Sequence, residues 1–249
     1  MFLSQNFIRN KNLAAHIVGL ASFGINDLVI DIGAGMGNLT RELARVCGRV
    51  LAVEIDSDLI PVLAKNLATN VTIYNQDFLA FNLPRTPYKV FANLPFHITA
   101  EIVKKLLGSK SPPVESYLIM QKEAAQKFSG TPHETQFSLL DKPYFNFETV
   151  YIFKKSDFDP EPDVETVLLK IVKRNEPLVT KANKILYQNF IKFAFNTWKK
   201  DLKVGLKKTF TYEQWKRLAK DNNFNIHAKP TDLSFPQWLK LFEFYKTRG

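Results

Sequence analysis

Residues 28–48 restrict the fold more than any other stretch of this chain. The apolar run Leu28-Val29-Ile30-Asp31-Ile32 reads as a buried strand that runs into Gly33-Ala34-Gly35-Met36-Gly37. Leu39, Leu43 and Val46 then recur at helical spacing, and Gly48 ends the helix. A strand, a glycine turn and a helix in that order predict a mainly parallel sheet flanked by helices. Glycines in the turn let the backbone pass close to a ligand. A second strand, Val50-Leu51-Ala52-Val53, ends in Glu54, 23 residues after Asp31. An acidic side chain at that point can accept from both ribose hydroxyls of a nucleoside. A ligand-free tight turn and a dinucleotide enzyme would show the same opening, but the glycines fall as G-x-G-x-G and not as G-x-G-x-x-G.

The next two strand ends carry matching chemistry. Val71-Thr72-Ile73-Tyr74 reads as a third strand leading to Asn75-Gln76-Asp77-Phe78. Asp77 there can accept from an adenine amine while Phe78 or Ile55 packs the ring; the alternative is a solvated loop carboxylate. Lys89-Val90-Phe91-Ala92 leads to Asn93-Leu94-Pro95-Phe96. The exocyclic amine of adenine carries two N–H donors and a lone pair delocalised into the ring. The Asn93 side-chain oxygen and the Leu94 carbonyl can accept both donors. Pro95 fixes its own φ and pushes Leu94 toward an extended conformation, and Phe96 offers a face for an unstacked base. The alternative is a strand-ending turn in which Asn93 caps the following helix. Asp31, Gly33, Gly35, Glu54, Asp77 and Asn93 follow four successive strand ends, where ligands of open α/β sheets sit.

Beyond these segments, Tyr117 to Met120, Phe147 to Phe153 and Val164 to Val172 read as further strands, the last two as an antiparallel hairpin at one sheet edge. Residues 1–26 read as an arm and a helix, with Leu13, Ile17 and Leu20 along one face, folding over the cleft. Residues 175–249 read as three or four helices, one starting at Thr211, which has capping-box spacing to Gln214. At 249 residues the chain fits one large domain and one small one, expected at 1–174 and 175–249.

Charge divides along the same line. Residues 1–170 hold 17 Lys and Arg against 18 Asp and Glu, whereas residues 171–249 hold 17 against 6. A nearly neutral sheet domain followed by a basic, aromatic-rich segment suits nucleic-acid binding, with Lys199, Lys200, Lys203, Lys207 and Lys208 as candidate RNA contacts; a solvated basic face is the alternative. No run of about 18 apolar residues appears, and the start Met1-Phe2-Leu3-Ser4 has no secretory pattern, so a cytoplasmic protein without membrane association is expected. Cys47 is the only cysteine and reads as a buried bystander. His16, His133 and His227 have no metal-site spacing, and no metal is expected.

Ser4-Gln5-Asn6-Phe7, Asp31 to Gly37, Val53-Glu54-Ile55-Asp56, Asn75 to Phe78, Asn93 to Phe96 and Phe158 to Val164 together resemble the ribosomal RNA adenine N6-dimethyltransferases across essentially the whole chain. The resemblance implies a Rossmann-like S-adenosylmethionine-dependent methyltransferase sheet with a small C-terminal helical domain. It implies a cofactor pocket lined by Gln5, Asn6, Ile8, Asp31, Gly33, Gly35, Glu54, Ile55, Asp77, Phe78 and Asn93. Phe96 would stack on the target base and Phe158 would close its other side. Within the family, Leu233 to Phe242 and the aromatic-basic stretch from Phe190 to Phe210 resemble the erythromycin-resistance (Erm) enzymes of 23S rRNA. Met120-Gln121-Lys122-Glu123 is nearer the housekeeping KsgA-like enzymes of 16S rRNA. The implied reaction is direct displacement at the sulfonium methyl by a monomer. No general base is required, because the amine nitrogen is acidic after transfer and loses its proton to water; His97 therefore reads as a helix-entry or RNA-contact residue rather than a catalytic one. Three rival readings fit these residues less well. A non-catalytic ribosome-assembly factor on this scaffold has no need of the Asn93 turn, a dinucleotide oxidoreductase lacks apparent catalytic residues, and DNA adenine methyltransferases tend to carry Pro where Leu94 stands.

Overall fold

The computed structural model describes residues 7–8, 10–65 and 67–247, which fall into two compact units: residues 1–125 with 146–173, and residues 126–145 with 174–249. The strands are β1 (Phe7–Ile8), β2 (Leu28–Ile32), β3 (Arg49–Glu54), β4 (Val71–Asn75), β5 (Lys89–Asn93), β6 (Glu115–Gln121), β7 (Phe145–Ile152), β8 (Phe158–Asp159) and β9 (Thr166–Lys173). The helices are α1 (Lys11–Gly19), α2 (Asn38–Val46), α3 (Ile60–Ala64), α4 (Thr99–Gly108), α5 (Lys122–Ser129), α6 (Gln136–Asp141), α7 (Lys184–Thr197), α8 (Leu202–Gly205), α9 (Tyr212–Asp221) and α10 (Phe235–Lys246).

The first unit is an α/β sheet of the Rossmann-like kind, with seven strands in the order β4-β3-β2-β5-β6-β9-β7. β4 through β6 run parallel, and β9 is antiparallel to β6. Val29, Ile30, Val50, Val53, Val90 and Phe91 are all buried, as continuous apolar strands must be when both sheet faces are covered. β7 lies beside β9 at the edge, and Phe153 N–H donates to the carbonyl of Thr166 at the start of β9, closing the expected hairpin.

Three local expectations need correction. Val46 was placed on the core face of α2 but is 41% exposed. The chain leaves the helix there: Cys47 is extended and turns inward, while the Asn70 side-chain amide donates to the carbonyls of Ala44 and Cys47. Leu20 is likewise exposed, because α1 ends at Gly19 and buries Ala14, Ile17 and Val18 instead. Nor does α1 lie over the cleft. It packs into the core with Val29, Phe91 and Tyr117, and the short β1 is the part that reaches the glycine turn.

The second unit has its own core, in which Tyr187, Phe190, Leu202, Trp215 and Trp238 pack with Leu139. Leu139 comes from the segment before β7, and its carbonyl accepts from the Tyr187 hydroxyl at 2.8 Å. That tie draws residues 126–145 into this unit, so the chain changes units after residues 125, 145 and 173, where the sequence suggested a single change after 174. As the sequence indicated, α9 starts after Thr211, whose hydroxyl accepts from Gln214 N–H while the Gln214 side chain accepts from Thr211 N–H.

Candidate active site

β2 has β3 on one side and β5 on the other, with Ile32 in register with both Val53 and Ala92. The chain builds β3 and β4 outward on one flank, then returns to start β5 on the other. The strand order therefore reverses at the β2–β5 pair, and a crevice opens at the carboxyl ends of those strands. This brings Gly33 and Asn93, 60 residues apart in sequence, to the same place.

The glycine turn is held by main-chain and carboxylate bonds. Gly33 N–H donates to the Val53 carbonyl at 2.8 Å, and Gly35 N–H donates to Glu54 Oε2 at 2.7 Å. Glu54 Oε1 accepts from Asp56 N–H at 2.9 Å. Glu54 thus fixes the turn, a role its position in sequence did not suggest, and each oxygen keeps a second lone pair for a hydroxyl. Gly35 has φ +55°, and a Cβ there would come within 2.7 Å of the Phe7 ring. Only glycine lets β1 close down on the turn.

Two cavities share Gly33 in their linings. The larger, about 200 Å³, is lined by Glu54, Ile55, Asp77 and Phe78, with Pro95 and Ile102 opposite. The smaller, about 30 Å³, is lined by Phe7, Ile8, Gly33, Asn38 and Asn93. A mainly apolar cavity with carboxylates in its lining, next to a small chamber lined by Asn38 and Asn93, suits a nucleoside carrying a side chain. Asp31 lies beneath, 1% exposed. Its Oδ2 accepts from the Thr40 hydroxyl at 2.6 Å, and its Oδ1 has no hydrogen-bond partner among the described residues. Burial raises its pKa to about 7, opposed by the Thr40 bond and reinforced by the Glu54 charge. The unpaired oxygen is a buried acceptor with spare capacity directly before the glycine turn.

The turn after β5 is braced on both sides. Leu94 N–H donates to the Ile119 carbonyl of β6 at 3.0 Å, and the Pro95 carbonyl accepts from Ile98 N–H and the Thr99 hydroxyl at 3.2 and 3.1 Å. The alternative reading of Asn93 as a helix cap does not hold, since α4 begins at Thr99 with Ile98 at its N-cap. Phe96 is half-buried. His97 is exposed and lines the larger cavity.

Phe158 departs from expectation. Its ring is 1% exposed, 5.2 Å from that of Phe153, inside the core of the first unit. A ring with both faces packed cannot clamp a base; it anchors β8, which pairs with β1. Gln5 and Asn6 lie outside the described residues. Sequence reasoning missed Phe7, Thr40, Asn38 and Ile102. Of these, Asn38 and Thr40 lie in the first turn of α2, directly after the glycine turn, and that position is the one sequence signal for them.

Lys199, Lys200, Lys207 and Lys208 are exposed on the second unit, and Lys203 is half-buried with its ammonium 6.0 Å from the Tyr212 ring centre. The two units hold 16 basic against 16 acidic residues and 18 against 8. Among the described residues no helix is long and apolar enough to cross a membrane, and no group of three or more His, Cys, Asp or Glu side chains is placed to hold a metal ion.

Comparison with known proteins agrees with this geometry. A family profile described as ribosomal RNA adenine dimethylase matches residues 1–247. An rRNA adenine N-6-methyltransferase of Bacillus licheniformis is 30% identical over 97% of this chain and 85% of its own. Ribosomal RNA small subunit methyltransferase A of Streptococcus agalactiae serotype V is 36% identical over 98% of this chain and 91% of its own. Among solved structures, the 23S rRNA methyltransferase ErmE superposes with a TM-score of 0.90 at 26% identity, covering 97% of this chain and 100% of that one.

Proposed function

Because this chain belongs to the ribosomal RNA adenine dimethylase family and is an S-adenosylmethionine-dependent rRNA adenine N6-methyltransferase, we propose that its target is an adenine of 23S rRNA, that it adds two methyl groups there in the cytoplasm as a monomer, and that it confers macrolide-type resistance. The observation that carries the choice of rRNA is the superposition with ErmE over nearly the full length of both chains. A second reading, methylation of 16S rRNA during ribosome biogenesis, is favoured by the 36% identity to a small-subunit enzyme and by Met120-Gln121-Lys122-Glu123. Mass-spectrometric mapping of both rRNAs from cells with and without the protein separates them. New dimethyladenine in 16S rRNA alone would overturn the 23S assignment.

S-adenosylmethionine, when bound, supplies a methyl group activated by the sulfonium. Glu54 would accept from its ribose hydroxyls and Asp77 from its adenine amine, with Ile55 and Phe78 packing that ring. Asp31 would be the nearby acceptor for the ligand's cationic end, and Gly33, common to both cavity linings, would let the ligand lie against the backbone. Asn93 and the Leu94 carbonyl accept the two N–H bonds of the target amine, while Phe96 supports the base after it has left its stack. With the amine so held, its lone pair is aimed across the narrow chamber. Catalysis comes from positioning and from acceptors facing the positive charge that grows on nitrogen. No side chain is asked to take a proton before transfer.

The Asn93→Ala variant should lose about 100- to 1,000-fold in kcat. Its rRNA Kd should stay within about twofold of wild type, since the lysine contacts are intact. Filter binding and single-turnover methylation on the same transcript measure both. A kcat near wild type would refute the role of Asn93.

A further inference from the structure

The second unit holds a cavity of about 260 Å³ between α8 and the start of α9, remote in sequence from every strand end described above. Phe210 and Trp215 form its apolar floor, and Lys203, Lys207, Thr211 and Tyr212 its rim. Trp215 is 1% exposed and fixed by an Nε1–H bond to the Ile226 carbonyl at 2.9 Å, and its ring stacks at 6.1 Å on Phe210. Tyr212, by contrast, is 57% exposed. The rim is positioned before any ligand arrives: Asp201 caps α8 through Val204 N–H at 2.8 Å, and Thr211 caps α9. Lys203 thereby sits next to Tyr212, with its ammonium 6.0 Å from the ring centre. That separation is at the outer limit of cation–ring attraction, so the lysine is held loosely and can turn to an anion. The lining has two lysines and no acidic side chain.

Duplex backbone binding requires exposed lysines only; it has no use for an aromatic-floored cavity. A flat ring, an apolar floor and two ammonium groups at one rim together match a nucleotide that has left its stack, with the base on the aromatic surface and flanking phosphates on the lysines. We propose that this α8–α9 cavity binds one unpaired nucleotide of the rRNA, distinct from the target adenine, with Tyr212 stacking on its base and Lys203 and Lys207 holding the phosphates on either side. The proposal rests on the rRNA reading above and adds a second base-recognition point, which would orient the RNA.

The test uses the full chain and two fluorescently labelled probes without a single-stranded adenine: the pyrimidine hexanucleotide CUCUCU and a 12-base-pair RNA duplex. Tyr212→Ala should weaken binding of the hexanucleotide about tenfold and leave the duplex unchanged. Tyr212→Phe should keep wild-type affinity for both. Lys203→Ala should lower the dependence of hexanucleotide affinity on salt by just under one ion, whereas Tyr212→Ala should leave that slope as it is. Equal losses on the two probes with Tyr212→Ala, or no loss on either, would overturn the nucleotide cavity while leaving the rRNA reading intact. Failure of the wild-type protein to bind either RNA would remove both. Since Tyr212 is exposed, and Tyr212→Phe keeps the ring, retention by that variant separates lost stacking from lost folding.

Discussion

Burial leaves Asp31 with one oxygen bonded to Thr40 and the other unpaired, and the carboxyl holds its proton up to a pH of about 7. The sign of the consequence follows from proton counts. Between the ordinary carboxylate pKa and about 7 the folded chain binds more protons than the unfolded one, so stability falls as pH rises through that window and the penalty is complete above it. Asp31→Asn removes the ionisation. The variant's stability relative to wild type should rise between pH 5 and 7 by up to about 1.4 kcal/mol per pH unit, read from urea titrations at each pH. A difference independent of pH would mean the side chain is ionised throughout. The two phenylalanines that the family resemblance places at the target base, Phe96 and Phe158, separate at the same scale. Phe158→Ala should destabilise the fold by about 3–5 kcal/mol, because it empties a packed core site. Phe96→Ala, at a half-buried turn position, should cost much less stability but lower kcat/KM for rRNA. Denaturant midpoints and methylation rates on both variants check the split.

Elements place these residues through their ends. β5 terminates at Asn93 because Pro95 cannot extend the ladder, and Leu94 still bonds to β6, so the turn inherits the rigidity of two central strands. β1 is only two residues long, yet its pairing with β8 sets Phe7 against Gly35. In the second unit α9 depends on its capping box, and Thr211→Ala should cost about 1 kcal/mol with an unchanged denaturant slope. Helix existence here was readable from the sequence, since Thr211 and Gln214 stand at a spacing that has a single mechanical reading. Helix ends were less so. Val46 and Leu20 fit the apolar period but fall where the chain has already turned away, and periodicity carries no information about where a helix stops.

At the scale of the whole molecule, charge and chemistry are assigned to different units: equal numbers of acidic and basic residues in the sheet unit, and 18 basic against 8 acidic in the other. Replacing Lys199, Lys200, Lys207 and Lys208 together by Ala should lower the slope of log affinity against log salt by about 3 to 4 for structured rRNA. Binding of S-adenosylmethionine, measured by calorimetry on the same variant, should not change. A slope that stays at the wild-type value would place the phosphate contacts elsewhere. Sequence alone was enough for the parallel sheet, the glycine turn and the basic C-terminal region, because each is written in local residue types whose period, spacing or charge has few physical solutions. Tertiary structure alone decided that Phe158 is core, that residues 126–145 join the second unit through Leu139, that Glu54 pins Gly35, and that Phe210, Trp215 and Tyr212 surround a cavity. Those outcomes depend on which distant side chains fill the same space, and packing between segments far apart in the chain leaves no local pattern to read.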